Sequence, residues 1–240
     1  IKLFHQEEDF IVLDFFAGSG STAQAVLQTN QEMGGNRKFI CVQLPETTDP
    51  QSEAFKAGYG SIAEVTKARI QKVIKKLTTE VSADNSKLIG TLFPKVKKGE
   101  NLGFKVFKLS PSNFKVWEAQ ASNDPEVMQG KLFDHTSHLS PAAREEAILY
   151  ELLLKSGFEL TTPITTLALA GKTVYSIAEG ELLICLDKSL THEVLKAMAE
   201  MQPSRVICLD EGFVGADADA VKTNAVQIMK SKGVLNFRTV

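Results

Sequence analysis

The stretch Asp14-Phe15-Phe16-Ala17-Gly18-Ser19-Gly20-Ser21-Thr22 carries residue types at a spacing that could do chemistry. It follows Phe10-Ile11-Val12-Leu13, a continuous apolar run of the kind expected of a strand buried on both faces of a parallel sheet. Such a strand delivers Asp14 at its carboxyl end, where open α/β sheets bind their ligands. Gly18 and Gly20 let the backbone turn tightly and approach a ligand with no Cβ in the way. Ala23, Val26 and Leu27 then recur at helical spacing. The helix they predict would offer free N–H groups and a positive dipole end to a carboxylate or phosphate.

Three ligands use this geometry. A P-loop is excluded, because no lysine follows the second glycine at the required spacing. A dinucleotide fingerprint is nearly satisfied by Gly18, Gly20 and Ala23, but Gln43 stands at the end of the next strand where an acid is expected, with Glu46 beyond Pro45. The third candidate is S-adenosylmethionine. The Asp14 carboxylate suits its ammonium and sulfonium charges, the helix N-terminus suits its carboxylate, and Phe15 or Phe16 suits its adenosyl part. An acid beside the glycine turn is awkward for a pyrophosphate and natural for a cationic ligand. On this chemistry the methyl donor is favoured, and a nicotinamide dinucleotide stays open as the alternative.

Other reactive side chains are sparse. Cys41, Cys185 and Cys208 each sit inside an apolar run, which fits small buried hydrophobes. His135 and His138 have a helical metal-ligand spacing but lack a Cys partner nearby, so no metal site is expected. Asp210-Glu211 follows a strand-like run in the manner of a metal-binding pair, yet no further motif supports a nuclease. The formal charge of −2 excludes a globally basic nucleic-acid binder. Between Lys67 and Lys115, however, twelve Lys or Arg face three acids, a density that could track phosphates. No apolar run approaches the roughly 18 residues of a membrane helix, so no membrane partner is expected. The opening residues are charged and short of an apolar core, and with so few cysteines they point to a cytoplasmic, reducing location.

The elements that must position the glycine motif read as α/β. The strand at 10–13, a helix ending near Gly34-Gly35, a second strand from Phe39 to Leu44, a loop over 47–60 and an amphipathic helix over 61–77 make half of a doubly wound sheet. Phe104 to Leu109 alternates with period two and predicts an exposed strand, with Phe114-Lys115-Val116-Trp117 as its partner. Ser140-Pro141 predicts a helix start, Ser as N-cap and Pro at the first position. Val174–Ile177 and Leu182–Leu186 predict a hairpin around Glu179-Gly180. A helix over 190–201, a strand at 206–209, a helix over 220–232 and a strand at 235–239 complete a small α/β domain. The expected division is a cofactor-binding half over 1–80, a basic linker with hairpin and loop over 81–139, and the carboxy-terminal domain over 140–240.

Asp14-x-Phe16-x-Gly18-Ser19-Gly20, with Gly35-Asn36-Arg37-Lys38-Phe39-Ile40-Cys41-Val42-Gln43-Leu44-Pro45-Glu46, resembles the cofactor-binding half of amino-directed DNA methyltransferases. It is most similar to the modification subunits of type III restriction–modification systems. Gly103–Leu109, Ser112–Trp117, Leu209–Phe213, Lys222–Ala225 and Phe237–Val240 resemble later segments of that family. The resemblance implies half of a Rossmann-like S-adenosylmethionine-dependent sheet, followed by a small hairpin and a second α/β domain. It implies a cofactor site of Asp14, Phe15, Phe16, Gly18, Ser19, Gly20 and Thr22, with Gln43 and Leu44 meeting the ribose and adenine. It also implies adenine N6 as the methylated atom, duplex DNA as the substrate of the full-length protein, and assembly as a homodimer of modification subunits with a restriction/helicase subunit. The family's Asp-Pro-Pro-Tyr-like catalytic loop is absent: no Pro-Pro occurs, and Asp49-Pro50 and Asp124-Pro125 lead into Gln51 and Glu126. In the family's permuted order that loop and the recognition region precede the glycine motif, and the chain opens on Ile1. The expectation is a carboxy-terminal fragment with no catalytic residue of its own. A subunit-assembly role for 140–240 is the alternative from a different class.

Overall fold

The computed structural model describes residues 9–87, 102–115, 138–215 and 217–240. The chain divides into two compact units, Ile1–Val106 and Phe107–Val240, each mixing helices and strands.

The first unit contains β1 (Ile11–Asp14), α1 (Ser21–Met33) and β2 (Lys38–Cys41). The strands pair in parallel, Ile11 opposite Lys38 and Asp14 opposite Cys41, with α1 as the crossover between them. Ala23, Val26 and Leu27 form the buried stripe of α1, and the helix stops at Gly34, where φ is 74°. The loop expected over 47–60 holds a short helix, α2 (Glu53–Lys56), because Ser52 Oγ caps it by accepting from the Phe55 N–H. The long helix α3 (Ile62–Lys87) runs past the predicted end at Leu77, since no Gly or Pro interrupts residues 78–87.

Strand alternation places Phe39 and Cys41 against Ala23, Leu27, Ile70 and Leu77 of the two helices. Ile11, Leu13 and Ile40 occupy the other face and are about half exposed, at 53%, 49% and 50%. Burial of β1 on both faces is thus corrected: among the described residues, helices cover one face only. Leaving three such side chains half in water forgoes on the order of 1 kcal/mol each.

The second unit contains α4 (Glu145–Lys155), β3 (Ile164–Leu169), β4 (Lys172–Ile177), β5 (Leu182–Cys185), α5 (His192–Glu200), β6 (Arg205–Cys208), α6 (Ala218–Ser231) and β7 (Asn236–Thr239). Its sheet runs β3-β4-β5-β6-β7, antiparallel through β5 and parallel from β5 to β7. Val194, Leu195 and Met198 of α5 and Ala225 and Met229 of α6 pack on one face, against Leu183, Cys185, Val206 and Cys208. Ile148, Leu149, Leu152 and Leu153 of α4 pack on the other, against Ile177, Leu182, Ile184 and Ile207. Covered on both faces, β5 buries all four of its residues, which is why it reads as an unbroken apolar run. Cys185 and Cys208 stand opposite each other in the β5–β6 register.

Two local expectations are corrected. Ser140-Pro141 does not start α4: the Ser140 carbonyl accepts from the Ala143 N–H in a separate turn, and the helix is entered at Arg144. Phe104 to Leu109 is not a strand. Its aromatic residues part company: Phe104 packs on the first unit's cluster, whereas Phe107 stays 45% exposed with its ring edge-on to Tyr150 of the second. Phe114 forms an isolated antiparallel bridge with Leu139, and Val116 and Trp117 lie outside the described residues, as does His135.

Candidate functional site

The turn from β1 into α1 is fixed by backbone hydrogen bonds before any side chain acts. The Val42 N–H donates to the Asp14 carbonyl at 2.8 Å, and the Ala17 N–H donates to the Val42 carbonyl at 3.1 Å. The chain leaving β1 is thereby tied to the chain leaving β2. The Gly20 N–H closes the turn on the Ala17 carbonyl at 2.7 Å. Gly18 and Gly20 adopt φ of 52° and 81°, a region an L side chain rarely enters. Both glycines expected from the motif are therefore required by conformation.

Side chains complete the turn. Asp14 Oδ1 accepts from the Phe16 N–H at 3.1 Å, so the carboxylate folds over its own loop and retains further acceptor capacity. Gln43 Oε1 accepts from the Gly18 N–H at 2.8 Å. Thr66 Oγ1, from α3, lies 2.5 Å from the Gly18 carbonyl and 3.0 Å from its own helix's Ile62 carbonyl. Gly20 caps α1 with no side-chain hydrogen bond, and no acid occupies the first turn. The positive helix end at Ser21 and Thr22 therefore has no charged side chain of its own, and it suits an anion. Phe16 and Phe15 stand out at the rim, 88% and 64% exposed, with Leu44 at 62%.

One turn thus brings together Asp14, Gly18, Ser19, Gly20, Thr22 and Gln43, with Phe15, Phe16 and Leu44 around it. The residue that sequence reasoning missed is Thr66. Its signal was its position: Thr66 lies midway between Ile62 and Ile70 on the apolar stripe of α3, where an aliphatic side chain is the default, and it is 6% exposed. An electropositive helix end, a carboxylate at the sheet edge and exposed aromatic rings fit a zwitterionic ligand with an apolar part.

No thiol here is poised as a nucleophile. Burial and the neighbouring Asp14 charge push the Cys41 thiol up, against a smaller opposing contact from the Ala23 amide. Asp210 is ion-paired with Lys222 of α6, and that partner holds its carboxyl below the usual range. Asp210 therefore joins the end of β6 to α6, while Glu211 Oε1 accepts from the Leu139 N–H at 3.4 Å. Among the described residues, no group of three His, Cys, Asp or Glu is arranged to hold a metal, and no helix is long and apolar enough to cross a membrane. A cavity of about 560 Å³ lies in the second unit at the carboxyl ends of β5 and β6, between Leu139, Ile148, Leu186 and Leu209. Its acids are engaged within the fold, Asp187 by Lys172 at 2.9 Å and Glu145 by the Tyr175 hydroxyl at 2.7 Å.

No family model matches the chain. It is 35% identical over 207 residues, 86% of its length, to the type III restriction-modification enzyme EcoPI Mod subunit of Escherichia phage P1. It is 30% identical over 213 residues, again 86% of its length, to the EcoP15I Mod subunit of Escherichia coli. A shorter match, 38% over 65 residues and 27% of the chain, is to the type II methyltransferase M.KpnI of Klebsiella pneumoniae. The chain is thus similar over most of its length to Mod subunits of type III restriction-modification enzymes, and it spans 28% of the length of these two Mod subunits.

Proposed function

We propose that this chain is the cofactor-binding half of a DNA methyltransferase of a type III restriction–modification system, followed by that protein's second α/β unit. The observation that carries the reading is the Asp14–Thr22 turn. It joins a carboxylate at the sheet edge, two glycines at positive φ and a helix end with no side-chain cap, in a chain similar to Mod subunits over 86% of its length. Among the described residues helices cover one face of β1–β2 only, which supports the half-sheet reading, because parallel sheets are normally covered on both sides.

In this reading S-adenosylmethionine supplies a methyl group on an electrophilic sulfonium. Asp14 takes the ammonium through a charge-assisted hydrogen bond, the first turn of α1 takes the carboxylate, and Phe15, Phe16 and Leu44 pack the adenosyl part. Ser19 and Thr22 line the turn. The substrate amine is the adenine N6 of duplex DNA. Extruding that base and removing its proton fall to an Asp-Pro-Pro-Tyr-like loop, which these 240 residues lack. The basic run from Lys67 along α3 tracks DNA phosphates, and the second unit serves assembly with a further modification subunit and a restriction subunit.

Calorimetry tests the cofactor assignment on the full-length protein. S-adenosylhomocysteine is expected to bind, NADH is expected not to, and Asp14→Ala is expected to weaken the former by roughly 1.5–3 kcal/mol with an unchanged melting curve. NADH binding in place of the methyl-donor product would return the site to the dinucleotide reading.

A further inference from the structure

Both polar atoms of the Gly18 residue's backbone are held by side chains from outside the turn. Gln43 Oε1, just beyond β2, accepts from its N–H at 2.8 Å. Thr66 Oγ1, on α3, donates to its carbonyl at 2.5 Å. One hydroxyl proton faces two acceptors, and the nearer is Gly18, with Ile62 at 3.0 Å. The same threonine also packs on the second glycine: a Cβ placed on Gly20 would lie 3.1 Å from Thr66 Cγ2 and 3.4 Å from its carbonyl oxygen. The other end of the Gln43 carboxamide is also engaged within the chain, Nε2 donating to the Leu44 carbonyl at 3.1 Å.

We infer that Gln43 and Thr66 are positioning residues that clamp the glycine turn in its ligand-binding shape, Gln43 acting through Gly18 rather than on the ribose. The inference rests on the cofactor reading above for what the turn binds, but the clamp itself is a property of the protein without ligand. A turn built on two glycines has many accessible backbone states, so holding it beforehand spares the ligand the ordering cost on binding. Gln43 and Thr66 fix the same residue from opposite sides, which makes their effects interdependent. Thr66 divides its labour between hydroxyl and methyl, and conservative variants separate the two. Thr66→Val keeps the shape against Gly20 and loses the donor. Thr66→Ser keeps the donor and loses the methyl.

Two readouts on the full-length protein test this. Hydrogen-exchange mass spectrometry over residues 15–20 without ligand reports the clamp, and calorimetry with S-adenosylhomocysteine and its 2′-deoxy analogue reports its use. Gln43→Ala and Thr66→Val are each expected to speed exchange and weaken binding roughly three- to tenfold, Thr66→Ser to stay within about twofold, and the double variant to lose less than the product of the singles. The Gln43→Ala loss is expected to be equal for both ligands. A loss that vanishes with the 2′-deoxy analogue overturns the inference in favour of a direct ribose contact. Unchanged exchange in both single variants overturns the clamp. Faster exchange with unchanged affinity overturns its role in positioning. Wild-type protein that shows slow exchange but binds neither ligand overturns the cofactor reading, and with it the role in ligand binding assigned to the clamp.

Discussion

Glu151 accepts two hydrogen bonds from Asn113, the backbone N–H at 2.7 Å and the side-chain amide at 2.8 Å. Ser112 Oγ and Lys155 Nζ complete its shell at 2.5 and 2.8 Å. This one carboxylate fastens the segment Ser112–Phe114 to the middle of α4, beside the Phe114–Leu139 bridge.

Burial alone would raise the Glu151 carboxyl, but Lys155, Ser112 and Asn113 outweigh it and hold the group at about 2, against an ordinary 4.5. A depressed carboxyl stabilises the fold above its unfolded value and loses that contribution as pH falls through the folded one. The second unit is therefore expected to weaken between pH 4.5 and about 2. After discounting for the exposed lysine, the loss is about 2 kcal/mol. Urea unfolding of wild type and Glu151→Gln across that range checks it. The variant should be weaker at pH 7 and the gap should close on acidification; a gap independent of pH refutes the assignment.

Gly20→Ala combines an unfavourable φ of 81° with the close approach of the Thr66 methyl. The expected cost is about 1–3 kcal/mol of stability together with a larger loss of S-adenosylhomocysteine binding. Adding Thr66→Ser removes the 3.1 Å contact and should recover part of the stability. Thermal melts of the single and double variants decide it, and no recovery would mean that strain in φ is the whole effect.

Gly212→Ala meets a different obstacle. A Cβ there would lie 2.6 Å from the Asp187 carbonyl and 2.8 Å from Leu190 Cγ. The Leu190 N–H donates to the Gly212 carbonyl at 2.7 Å, so the two segments cannot part without losing that bond. A destabilisation of about 2–4 kcal/mol is expected from the overpacking and the broken bond. Denaturant titration is the measurement; a shift below about 0.5 kcal/mol would show that the loop after β5 yields freely.

The 240-residue segment alone is expected to transfer no methyl group to DNA. Orientation of the reacting amine supplies roughly 7–11 kcal/mol of barrier lowering, and that demands groups to hold an extruded base. Tritiated S-adenosylmethionine with genomic DNA is the assay. Label above a heat-killed control that disappears with Asp14→Ala would reveal a catalytic loop of another kind.

The parts legible in the sequence share one property: a continuous demand from the environment. β5 and β6 are sandwiched and read as apolar runs, and the glycine turn needs positive φ at Gly18 and Gly20 and shows it in composition. What escaped obeys mixed demands. β3 pairs with one neighbour only, and its exposed Thr165, Thr166 and Ala168 dilute any alternation, so neither the strand nor its Ala170-Gly171 turn at positive φ was anticipated. Phe104–Leu109 alternates correctly for a strand, but Phe104 answers to the first unit's core while Phe107, 45% exposed, meets the ring of Tyr150 edge-on. Thr66 gave no motif because its partner is a backbone carbonyl 48 positions away, and backbone atoms leave no trace in a sequence.

The facing pair Cys185 and Cys208 has a practical corollary. Both thiols are fully buried, and burial pushes them up, Cys208 well above its ordinary value, so neither offers an alkylating reagent a thiolate while the sheet is closed. Cys41, in the other unit, is only partly covered. Pulsed alkylation followed by peptide mapping would thus act as a clock with two hands. Cys41 would time local breathing around the glycine turn, and Cys185 with Cys208 would time the opening of the second unit's core, with no engineered label.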